Sequence, residues 1–382
     1  MTALATLADM QQAARRRLPK MIFDYVAGGA GDETTLAANR ADFARYRLEQ
    51  RVLVDCSAQD LSATVLGRPL PQPFMAAPVG FLGLCAPRGE RQLAAAARAA
   101  GMPVCLSSFS MASIAELRAH SDGPLDFQLY VLTDREVTAA LVDAASAAGC
   151  GALYVTVDTA ITNVRDRDVR NGFRGVSRMT PGMLARFALK PGWSLPMLAA
   201  GMPSIRALDP YPQFGRGALA QAAGLGQRID RTLSVADLVW LRKRWPGRLV
   251  VKGILSAADA VRAREAGADA VVVSNHGGRQ LDPAASTISI LPEVVAAVGP
   301  AFEVLVDGGF RRGSDILIAL ALGASGVLLG RPIAYGLAAG GTAGVTRVIE
   351  ILRTEMAATL ALMGLASVAE LRARGPAVLR PA

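Results

Sequence analysis

The sequence predicts an α/β protein whose core is a (β/α)8 (TIM) barrel, a closed ring of eight parallel strands surrounded by helices. Eight short β-type runs recur along the 382 residues, and Ala- and Leu-rich helical segments lie between most of them. The runs are apolar, which is typical of parallel strands that are buried on both faces. Eight such units in roughly 260 residues fit a closed barrel better than an open sheet.

The elements follow one another in a regular order. The N-terminal run MTALATLADMQQAARRRLPK has Asp9 ahead of its basic cluster and no apolar core behind it, so it predicts an amphipathic helix rather than a signal peptide. The predicted strands are FMAAPVG from Phe74, PVCLSS from Pro103, LDFQLY from Leu125, ALYVTVD from Ala152, RLVVKG from Arg248, AVVVSNHGG from Ala270, EVLVDGG from Glu303 and GVLLGR from Gly326. The helical segments between them, several of which end at glycine as helices commonly do, include GERQLAAAARAAG, MASIAELRAH, DREVTAALVDAASAAG, SAADAVRAREAG and GSDILIALALGA.

Two segments lie outside this repeat: residues 1–73, and an insertion of about 171–230 after the fourth strand. We expect a single domain over 1–382, with the barrel at about 74–340, an N-terminal helical extension and the insertion. The longest uncharged stretches fall well short of the roughly 20 apolar residues that a membrane-spanning helix needs.

The positive charge of the chain is concentrated in the insertion. Lys and Arg number 41 against 32 acidic residues, a net charge of +9, and +6 of this lies between Asn171 and Arg228. Because the same segment carries large apolar residues such as Leu184 and Trp193, we predict that about 177–215 contacts an anionic membrane surface. An active-site lid is the alternative. The basic residues are Arg174, Arg178, Arg186, Lys190, Arg206, Arg216 and Arg228, and the one acid is Asp209.

Cysteine and histidine usage argues against a disulfide framework and against a metal site. The four cysteines (Cys56, Cys85, Cys105 and Cys150) show neither CxxC nor zinc-ligand spacing, and the chain has only two histidines. A reduced, cytosolic chain without a bound metal is the expectation.

Polar side chains follow nearly every predicted strand. In a parallel barrel the C-terminal ends of the strands converge on one mouth, where active sites are built. Helix capping alone does not account for polar groups at so many strand ends. The residues concerned are Ser107, Gln128, Tyr130, Asp158, Lys252, the turn from Ser274 to Arg279, Asp307 to Gly309, Gly330 and Arg331.

The last two strand ends, DGGFRRGSD and LLGRP, predict a phosphate site. Their glycines allow close approach of the backbone, and Arg311 and Arg331 supply positive charge. The chain contains no GxxxxGK[ST] and no complete GxGxxG, so neither a nucleotide P-loop nor a Rossmann site competes. We therefore expect a phosphate-bearing cofactor in the barrel mouth.

His276 is the candidate base, since glycines leave its imidazole uncrowded and Asp158, from another strand end, can orient it. Arg165 and Arg279 supply two guanidinium groups suited to a substrate carboxylate. A surface ion pair with Asp166 or Asp168 is the alternative for Arg165. His120, at a predicted helix end, is expected to be a capping or solvated side chain.

Taken together, these motifs resemble the FMN-dependent α-hydroxy acid dehydrogenases and oxidases over nearly the whole chain. The segments that carry the resemblance are LPKMIFDYVAGGAGDE, AAPVG, FQLY, VTVD, VKG, SNHGGRQLD, DGGFRRGSD and LLGRP, in the order of that family, and SNHGGRQLD alone is highly specific. The chain is most similar to the membrane-associated bacterial (S)-mandelate and L-lactate dehydrogenases, in which the inserted loop anchors the enzyme. The resemblance also implies a homo-oligomer, a tetramer in this family.

The resemblance implies a role for each matching residue. His276, Asp158, Tyr130, Arg279 and Lys252 match catalytic positions. Tyr25, Tyr130, Arg165, Arg279, Phe109 and Gly80 match the substrate site. Ala77, Pro78, Val79, Ser107, Gln128, Thr156, Lys252, Ser274, Asp307, Gly309, Arg311, Gly330 and Arg331 match the FMN site.

The implied reaction is oxidation of an (S)-2-hydroxy acid to the 2-oxo acid, with (S)-mandelate favoured on overall likeness and a membrane quinone as acceptor. Gly80 is shared with the dehydrogenase-like members, whereas many oxidases have Ala there. The alternatives are L-lactate as substrate, O2 as acceptor, or a non-catalytic basic protein on membrane or nucleic acid. Nucleic acid is disfavoured, because the charge lies in one apolar loop. We expect a peripheral protein on the cytoplasmic side of the inner membrane, or otherwise a cytoplasmic one.

Overall fold

The computed structural model describes residues 4–161, 163–172, 180–201 and 203–382, and its centre is a closed parallel barrel of the eight predicted strands. Each barrel strand pairs with the next in sequence, and the last pairs with the first, so the predicted (β/α)8 barrel is confirmed. The strands are β1 (Tyr46–Leu48), β2 (Ala63–Val65), β3 (Arg68–Leu70), β4 (Phe74–Ala76), β5 (Val104–Ser107), β6 (Leu125–Leu129), β7 (Ala152–Thr156), β8 (Arg248–Ile254), β9 (Ala270–Val273), β10 (Glu303–Val306), β11 (Gly326–Leu329) and β12 (Leu379–Pro381), of which β4 to β11 form the barrel.

The helices begin where side chains satisfy free backbone N–H groups. Thr6 and Asp9 form a capping box at the first helix, and Asp134 accepts a hydrogen bond from the Val137 amide at the seventh. The helices are α1 (Leu7–Arg17), α2 (Lys20–Ala27), α3 (Thr34–Ala41), α4 (Leu82–Cys85), α5 (Gly89–Ala99), α6 (Ile114–His120), α7 (Arg135–Ala147), α8 (Asp166–Arg170), α9 (Pro181–Ala188), α10 (Pro191–Ala200), α11 (Ala218–Arg228), α12 (Val235–Arg244), α13 (Ala257–Glu265), α14 (Thr287–Val298), α15 (Gly313–Ala321), α16 (Arg331–Leu362, broken at Gly340 and Gly341) and α17 (Val368–Arg374). Short 3-10 turns cover Asp42–Arg45, Arg206–Leu208, Pro212–Phe214 and Gly375–Val378.

The strand register brings the polar strand ends to one level. Ser107, the last residue of β5, lies opposite Gln128 of β6. Thr156, the last residue of β7, lies opposite Lys252 of β8. The apolar residues that precede them fill the barrel and are almost completely buried. The barrel therefore presents a ring of polar side chains at its C-terminal mouth.

The N-terminal extension is less purely helical than the sequence predicts. Besides α1 to α3 it contains β1, which pairs with β12 next to the C-terminus, and the hairpin of β2 and β3. Both terminal nitrogens of Arg68 lie 2.8 Å from the carboxylate oxygens of Asp126, near the start of β6. The Leu66 amide donates to Glu303, the first residue of β10, at 2.7 Å. These contacts fasten the hairpin to the end of the barrel opposite the mouth.

The insertion divides into an exposed part and a buried part. Leu189 and Leu198, on the segment of α9 and α10, are 78% and 77% exposed, whereas Ile205 and Phe214 beyond it are buried. Residues 177–179 and 202 of the predicted membrane segment lie outside the described part of the chain, and so do the basic residues Arg174 and Arg178. Within the described part, no helix combines the length and the apolar character needed to cross a bilayer.

Candidate active site

His276 and Asp158 meet at the mouth of the barrel, just after the ends of β9 and β7. The Nδ1 atom of His276 lies 2.9 Å from Oδ1 of Asp158. Burial lowers the pKa of His276 below its ordinary value; Asp158 opposes this shift, and Lys252 and Arg165 reinforce it. Burial would raise the pKa of Asp158, but three effects outweigh it and lower the pKa: the charge that His276 carries when it is protonated, the hydrogen bond from His276, and the charge of Lys252. The pair at neutral pH is therefore a carboxylate beside a neutral imidazole, which is the state a general base requires.

The turn from Ser274 to Gly278 that carries His276 has a left-handed backbone. The φ angles are 57° at His276, 66° at Gly277 and 74° at Gly278. A non-glycine residue in this region costs about 1–2 kcal/mol, so the conformation at His276 must be held by its surroundings. The hydroxyl of Ser274 accepts a hydrogen bond from the His276 amide at 3.1 Å. A Cβ atom at Gly278 would lie 2.7 Å from the amide nitrogen of Leu36, which explains the glycine there.

Lys252, in β8, is a buried cation beside the ends of β9 and β10. Its Nζ lies 2.9 Å from Oδ2 of Asp307 and donates to Oγ of Ser274 at 2.8 Å. Burial would lower the pKa of Lys252, but the carboxylates of Asp307 and Asp158 outweigh it, and the pKa is raised. The ammonium group therefore stays charged within the barrel mouth.

Ser107, Gln128 and Thr156 form a buried polar row across β5, β6 and β7. Oγ of Ser107 donates to Oε1 of Gln128 at 3.1 Å, and Nε2 of Gln128 donates to Oγ1 of Thr156 at 2.9 Å. The neighbouring Ser108 hydroxyl donates to the Gln128 carbonyl at 2.7 Å. The row fixes the amide of Gln128 in one orientation at the floor of the mouth.

Arg279 and Arg165 bring two guanidinium groups to the same mouth. Nη1 of Arg279 donates to the carbonyls of Tyr25 and Gly28 at 2.6 and 3.0 Å, and its Cζ lies 4.9 Å above the Tyr25 ring. Nε of Arg165 donates to the Arg279 carbonyl at 3.5 Å, and its Nη1 lies 3.8 Å from Oδ2 of Asp168. Arg165 therefore does pair with Asp168, as the alternative for this residue expected, but the two side chains are only 13% and 4% exposed, so the pair is buried at the mouth and does not lie on the surface.

Arg311 lies in the loop after β10, and Arg331 follows β11 as the first residue of α16. Nη1 of Arg311 donates to the Phe310 carbonyl at 2.7 Å. Arg331 donates one hydrogen bond from each of its three nitrogens to the carbonyls of Val26, Gly277 and Gly28, at 2.8 to 3.0 Å. A guanidinium has five N–H groups, so Arg331 retains donors for an anion.

The polar groups of the mouth fit a bound anionic, hydrogen-bonding cofactor. Burial lowers the pKa of Arg331 to about 9, and the positive charges of Arg279, Arg311 and Arg165 lower it too. An anionic phosphate among these guanidinium groups would offset that repulsion. Seven buried side-chain atoms lack a hydrogen-bond partner among the described residues, and four of them lie at this mouth: Oδ2 of Asp158, Oε1 of Gln280, Oδ1 of Asp307 and Nε of Arg311.

Glycines make room for the backbone at two of the predicted cofactor positions. Gly309 has φ 87°, and a Cβ atom there would lie 1.8 Å from the carbonyl oxygen of Asn39. At Gly330 the nearest atoms to such a Cβ would be those of Val79 and Ala77, at 3.7 and 3.9 Å. Gly309 is thus required by the packing of the N-terminal extension, whereas a Cβ atom at Gly330 would make ordinary van der Waals contact with the loop after β4.

An aromatic row lines the β4, β5 and β6 side of the mouth. Ring centroids are 5.8 Å apart between Tyr25 and Phe81, 5.7 Å between Phe81 and Phe109, and 5.4 Å between Phe109 and Tyr130. Gly80 lies directly behind this row, because a Cβ atom there would come 2.8 Å from Cβ of Phe109. Pro78 and Val79 are half-buried in the same loop.

The structure brings together every residue that the sequence analysis placed in the site, and it adds residues that the sequence analysis missed. Phe81 could have been found, because an aromatic residue follows the AAPVG run directly. Asn39, in the N-terminal extension, and Ser108, between two predicted site residues, gave no such signal. The roles of the assembled residues stay predictions.

The comparisons with known proteins agree with this geometry. Residues 14–377 match the family model described as FMN-dependent dehydrogenase. An L-lactate dehydrogenase of Caulobacter vibrioides is 44% identical over 370 residues, covering 96% of each chain. An (S)-mandelate dehydrogenase of Pseudomonas putida is 42% identical over 362 residues, covering 94% of this chain and 91% of the relative.

A solved structure described as the monotopic membrane protein (S)-mandelate dehydrogenase superposes on the whole chain. Its TM-score is 0.95 at 40% sequence identity, and the match covers 100% of both chains. The insertion is therefore included in the match, and not only the barrel.

Proposed function

The chain belongs to the FMN-dependent dehydrogenase family, and from that premise we propose that it oxidises (S)-mandelate to benzoylformate and passes the electrons to a membrane acceptor such as quinone. The family and the named relatives make it an FMN-dependent oxidoreductase of 2-hydroxy acids. The substrate, the acceptor and the role of each residue are the parts that we propose.

The aromatic row is the observation that carries the choice of substrate. Tyr25 and Phe81, and likewise Phe109 and Tyr130, pack edge to face, while Phe81 and Phe109 are tilted by 51°. The row begins beneath the guanidinium of Arg279. A substrate whose carboxylate binds Arg279 would bring its side group against this row. A phenyl group gains about 0.5–1.5 kcal/mol from an aromatic contact beyond its buried area, whereas a methyl group does not.

His276 is the proposed base. A neutral imidazole whose Nδ1–H donates to Asp158 has its Nε2 lone pair free to accept a proton from the substrate. The proton then makes an imidazolium that the Asp158 carboxylate stabilises. Arg165 and Arg279 hold the substrate carboxylate, and Tyr25 and Tyr130 face its carboxylate and hydroxyl groups.

The remaining polar residues of the mouth are proposed to hold FMN, which when bound supplies the two-electron acceptor for the oxidation. Lys252 is the buried cation that would stabilise negative charge on the reduced ring. Ser107, Gln128, Thr156 and Ser274 offer neutral hydrogen-bonding groups for the ring and the ribityl chain. The remaining proposed contacts are Ala77, Pro78, Val79 and Asp307, with Gly309, Arg311, Gly330 and Arg331 at the phosphate.

L-lactate is the second candidate substrate, because the relative at 44% identity is named L-lactate dehydrogenase. We favour mandelate, since Phe109 is only partly buried and a phenyl group gains more than a methyl group from packing against it. O2 as the acceptor is disfavoured by Gly80, which many oxidases replace with alanine.

The substrate proposal is tested by mixing the purified, flavin-loaded protein anaerobically with (S)-mandelate, (R)-mandelate or L-lactate and following the loss of visible flavin absorbance. We expect fast bleaching by (S)-mandelate only. If L-lactate bleached the flavin tenfold faster than (S)-mandelate, the proposed substrate would be wrong and L-lactate would take its place. Bleaching by none of the three would contradict both candidates, and a protein unable to take up FMN would contradict the whole proposal.

We further propose that the protein lies peripherally on the cytoplasmic side of the inner membrane, where a quinone acceptor is available. The segment of α9 and α10 carries four leucines that are more than half exposed, namely Leu184, Leu189, Leu195 and Leu198. Arg186 lies among them in the sequence. Apolar side chains interspersed with basic ones suit an anionic bilayer surface. A homo-oligomer, which the family resemblance implies, stays a prediction.

A further inference from the structure

A buried pair of asparagine side chains joins the N-terminal extension to the turn that carries His276. Nδ2 of Asn39 donates to Oδ1 of Asn275 at 2.9 Å, and Nδ2 of Asn275 donates back to Oδ1 of Asn39 at 2.8 Å. The two residues are 1% and 3% exposed. A reciprocal pair of this kind satisfies both amides and fixes their relative orientation.

Each member of the pair is also tied to its surroundings. Oδ1 of Asn275 accepts from the Gly278 amide at 3.0 Å, and its Nδ2 donates to the Ala285 carbonyl at 3.0 Å. Oδ1 of Asn39 accepts from the Thr287 amide, the first residue of α14, at 3.2 Å. The pair therefore links α3, the turn after β9 and the start of α14.

The helix that carries Asn39 has little freedom to move. The backbone of its last turn would collide with any side chain at Gly309, since the Asn39 carbonyl oxygen lies 1.8 Å from the position of such a Cβ. One turn earlier, the Leu36 amide nitrogen lies 2.7 Å from the position that a Cβ atom at Gly278 would occupy. The helix thus packs directly on the turns after β9 and β10, so Asn39 presents its amide from a fixed position.

The turn needs such a support. His276 has a φ of 57°, a conformation that L side chains adopt rarely, and it lies between Asn275 and two glycines whose backbones are intrinsically free. Ser274 holds the turn on one side of Asn275 by accepting the His276 amide hydrogen. Asn39 holds Asn275 itself, from the helix α3 that packs on this turn.

We propose that Asn39 is a positioning residue for the His276 imidazole, acting through its amide pair with Asn275. The inference rests on the proposed function, in which His276 is the base. Asn39 brings the N-terminal extension, which lies outside the barrel repeat, into the assembly of the active site. It has no part in the chemistry itself.

The first test is the Asn39→Ala variant in the flavin-loaded protein. We expect kcat for the 2-hydroxy acid to fall between about tenfold and about 100-fold, because a misplacement of roughly 1 Å at a reacting group has effects of this size. KM should change by less than threefold, and the visible flavin spectrum should persist. If the alanine variant fails to fold, Asn39→Ser replaces it. Its hydroxyl cannot form the reciprocal amide pair, so we expect the same fall in kcat with little change in KM.

The second test reads the imidazole directly. The chain has only two histidines, and His120 is exposed at the end of α6, so selectively labelled protein gives two sets of imidazole signals. In the wild type we expect a slowly exchanging, downfield Nδ1–H proton from His276 bonded to Asp158. This proton should exchange quickly or shift upfield in Asn39→Ala. An unchanged Nδ1–H signal in Asn39→Ala would overturn the proposal.

Asn171→Ala is the matched control, since Asn171 is also a buried amide that joins the extension to a strand-end loop. Its Nδ2 donates to Oδ2 of Asp24 at 2.7 Å and its Oδ1 accepts from Lys20 at 3.3 Å, and within the described part of the chain no hydrogen bond joins it to the His276 turn. The control should keep kcat and the Nδ1–H signal. Equal losses in Asn39→Ala and Asn171→Ala would reduce Asn39 to a purely structural role and overturn the proposal.

A double-variant comparison tests the route of the effect. If Asn39 acts through Asn275, the Asn39→Ala and Asn275→Ala double variant should be no more than threefold slower than Asn275→Ala alone. Multiplicative losses would overturn that route. His276→Ala tests the proposed function separately, because undiminished flavin reduction in that variant would contradict the assignment of His276 as the base. Whether Asn39 positions the imidazole is read independently, from the Nδ1–H signal of His276 in the Asn39→Ala variant.

Discussion

At the scale of single residues, burial and charge together set the pKa values of His276 and Asp158, the pair proposed to act as the base. Burial lowers the pKa of His276, and the adjacent carboxylate of Asp158 moves it back toward the ordinary value. This balance keeps the imidazole neutral before the reaction and offers it a partner once it is protonated. Lys252 acts on both groups, since its charge lowers the pKa of Asp158 and of His276.

Asp158→Asn tests this balance. Removing the carboxylate takes away the group that raises the His276 pKa, so that pKa should fall further and the acidic limb of kcat/KM should move to lower pH. The imidazolium formed in the reaction also loses its partner, so we expect kcat to fall by about 10²-fold or more. Stopped-flow flavin reduction across pH 5 to 8 measures both effects. The control is Asp166→Asn, which removes an exposed carboxylate from α8 and should change neither kcat nor the acidic limb. An acidic limb that moved to higher pH in Asp158→Asn would contradict this account.

At the scale of elements, the insertion has two parts that differ in how far their apolar side chains are buried. The first part, α9 and α10, exposes its leucines. It is attached through Trp193, whose Nε1 donates to the Leu84 carbonyl at 2.7 Å, and through Lys190, whose Nζ donates to the Arg16 carbonyl at 2.6 Å. The second part packs on the barrel through Ile205, Leu208 and Phe214, all of which are at most 1% exposed. The membrane segment predicted at 177–215 thus ends in residues that belong to the hydrophobic core.

Two replacements separate these parts. Exchanging 180–201 for a short polar linker should give a flavin-loaded enzyme that still reduces an artificial acceptor. Exchanging 177–215 also removes three large core residues, each worth roughly 2–5 kcal/mol, so its thermal midpoint should lie several degrees lower than that of the shorter replacement. Thermal unfolding followed by flavin release compares the two. Equal midpoints would show that the second part does not contribute to the core.

At the scale of the whole molecule, charge and exposed apolar surface occur in one segment. The net charge is +9, and the insertion carries most of it, while exposed leucines lie on α9 and α10. Such a surface combines an electrostatic attraction, worth about 1 kcal/mol per basic residue near an anionic membrane, with a salt-independent apolar contribution.

Vesicle sedimentation tests this combination. We expect the protein to bind vesicles that contain phosphatidylglycerol at low salt, to bind less at 1 M salt because charges are then screened beyond about 3 Å, and to bind neutral phosphatidylcholine weakly. Leu195→Ser with Leu198→Ser should weaken binding at both salt concentrations. The matched control, Val235→Ser with Val239→Ser on α12, also changes two partly exposed apolar residues and should bind like the wild type. Wild-type protein that stays in the supernatant at low salt would contradict membrane contact.

The sequence by itself determined the eight barrel strands, most of the helices between them, and the residues that gather at the mouth. These features are local, because an apolar run of a few residues ending in a polar one specifies both a buried strand and its functional end. His276, Asp158, Lys252 and the two pairs of arginines could therefore be named before any contact was known.

Only the tertiary structure decided what those residues touch. The pair of Asn39 and Asn275, the aromatic row that includes Phe81, the burial of Arg165 with Asp168, and the division of the insertion all depend on contacts between segments distant in sequence. Such contacts exist only after the barrel has closed and the extension has packed on its mouth. The hydrophobic periodicity of the sequence does not predict these contacts, because it indicates which face of an element is buried and not which other element covers that face.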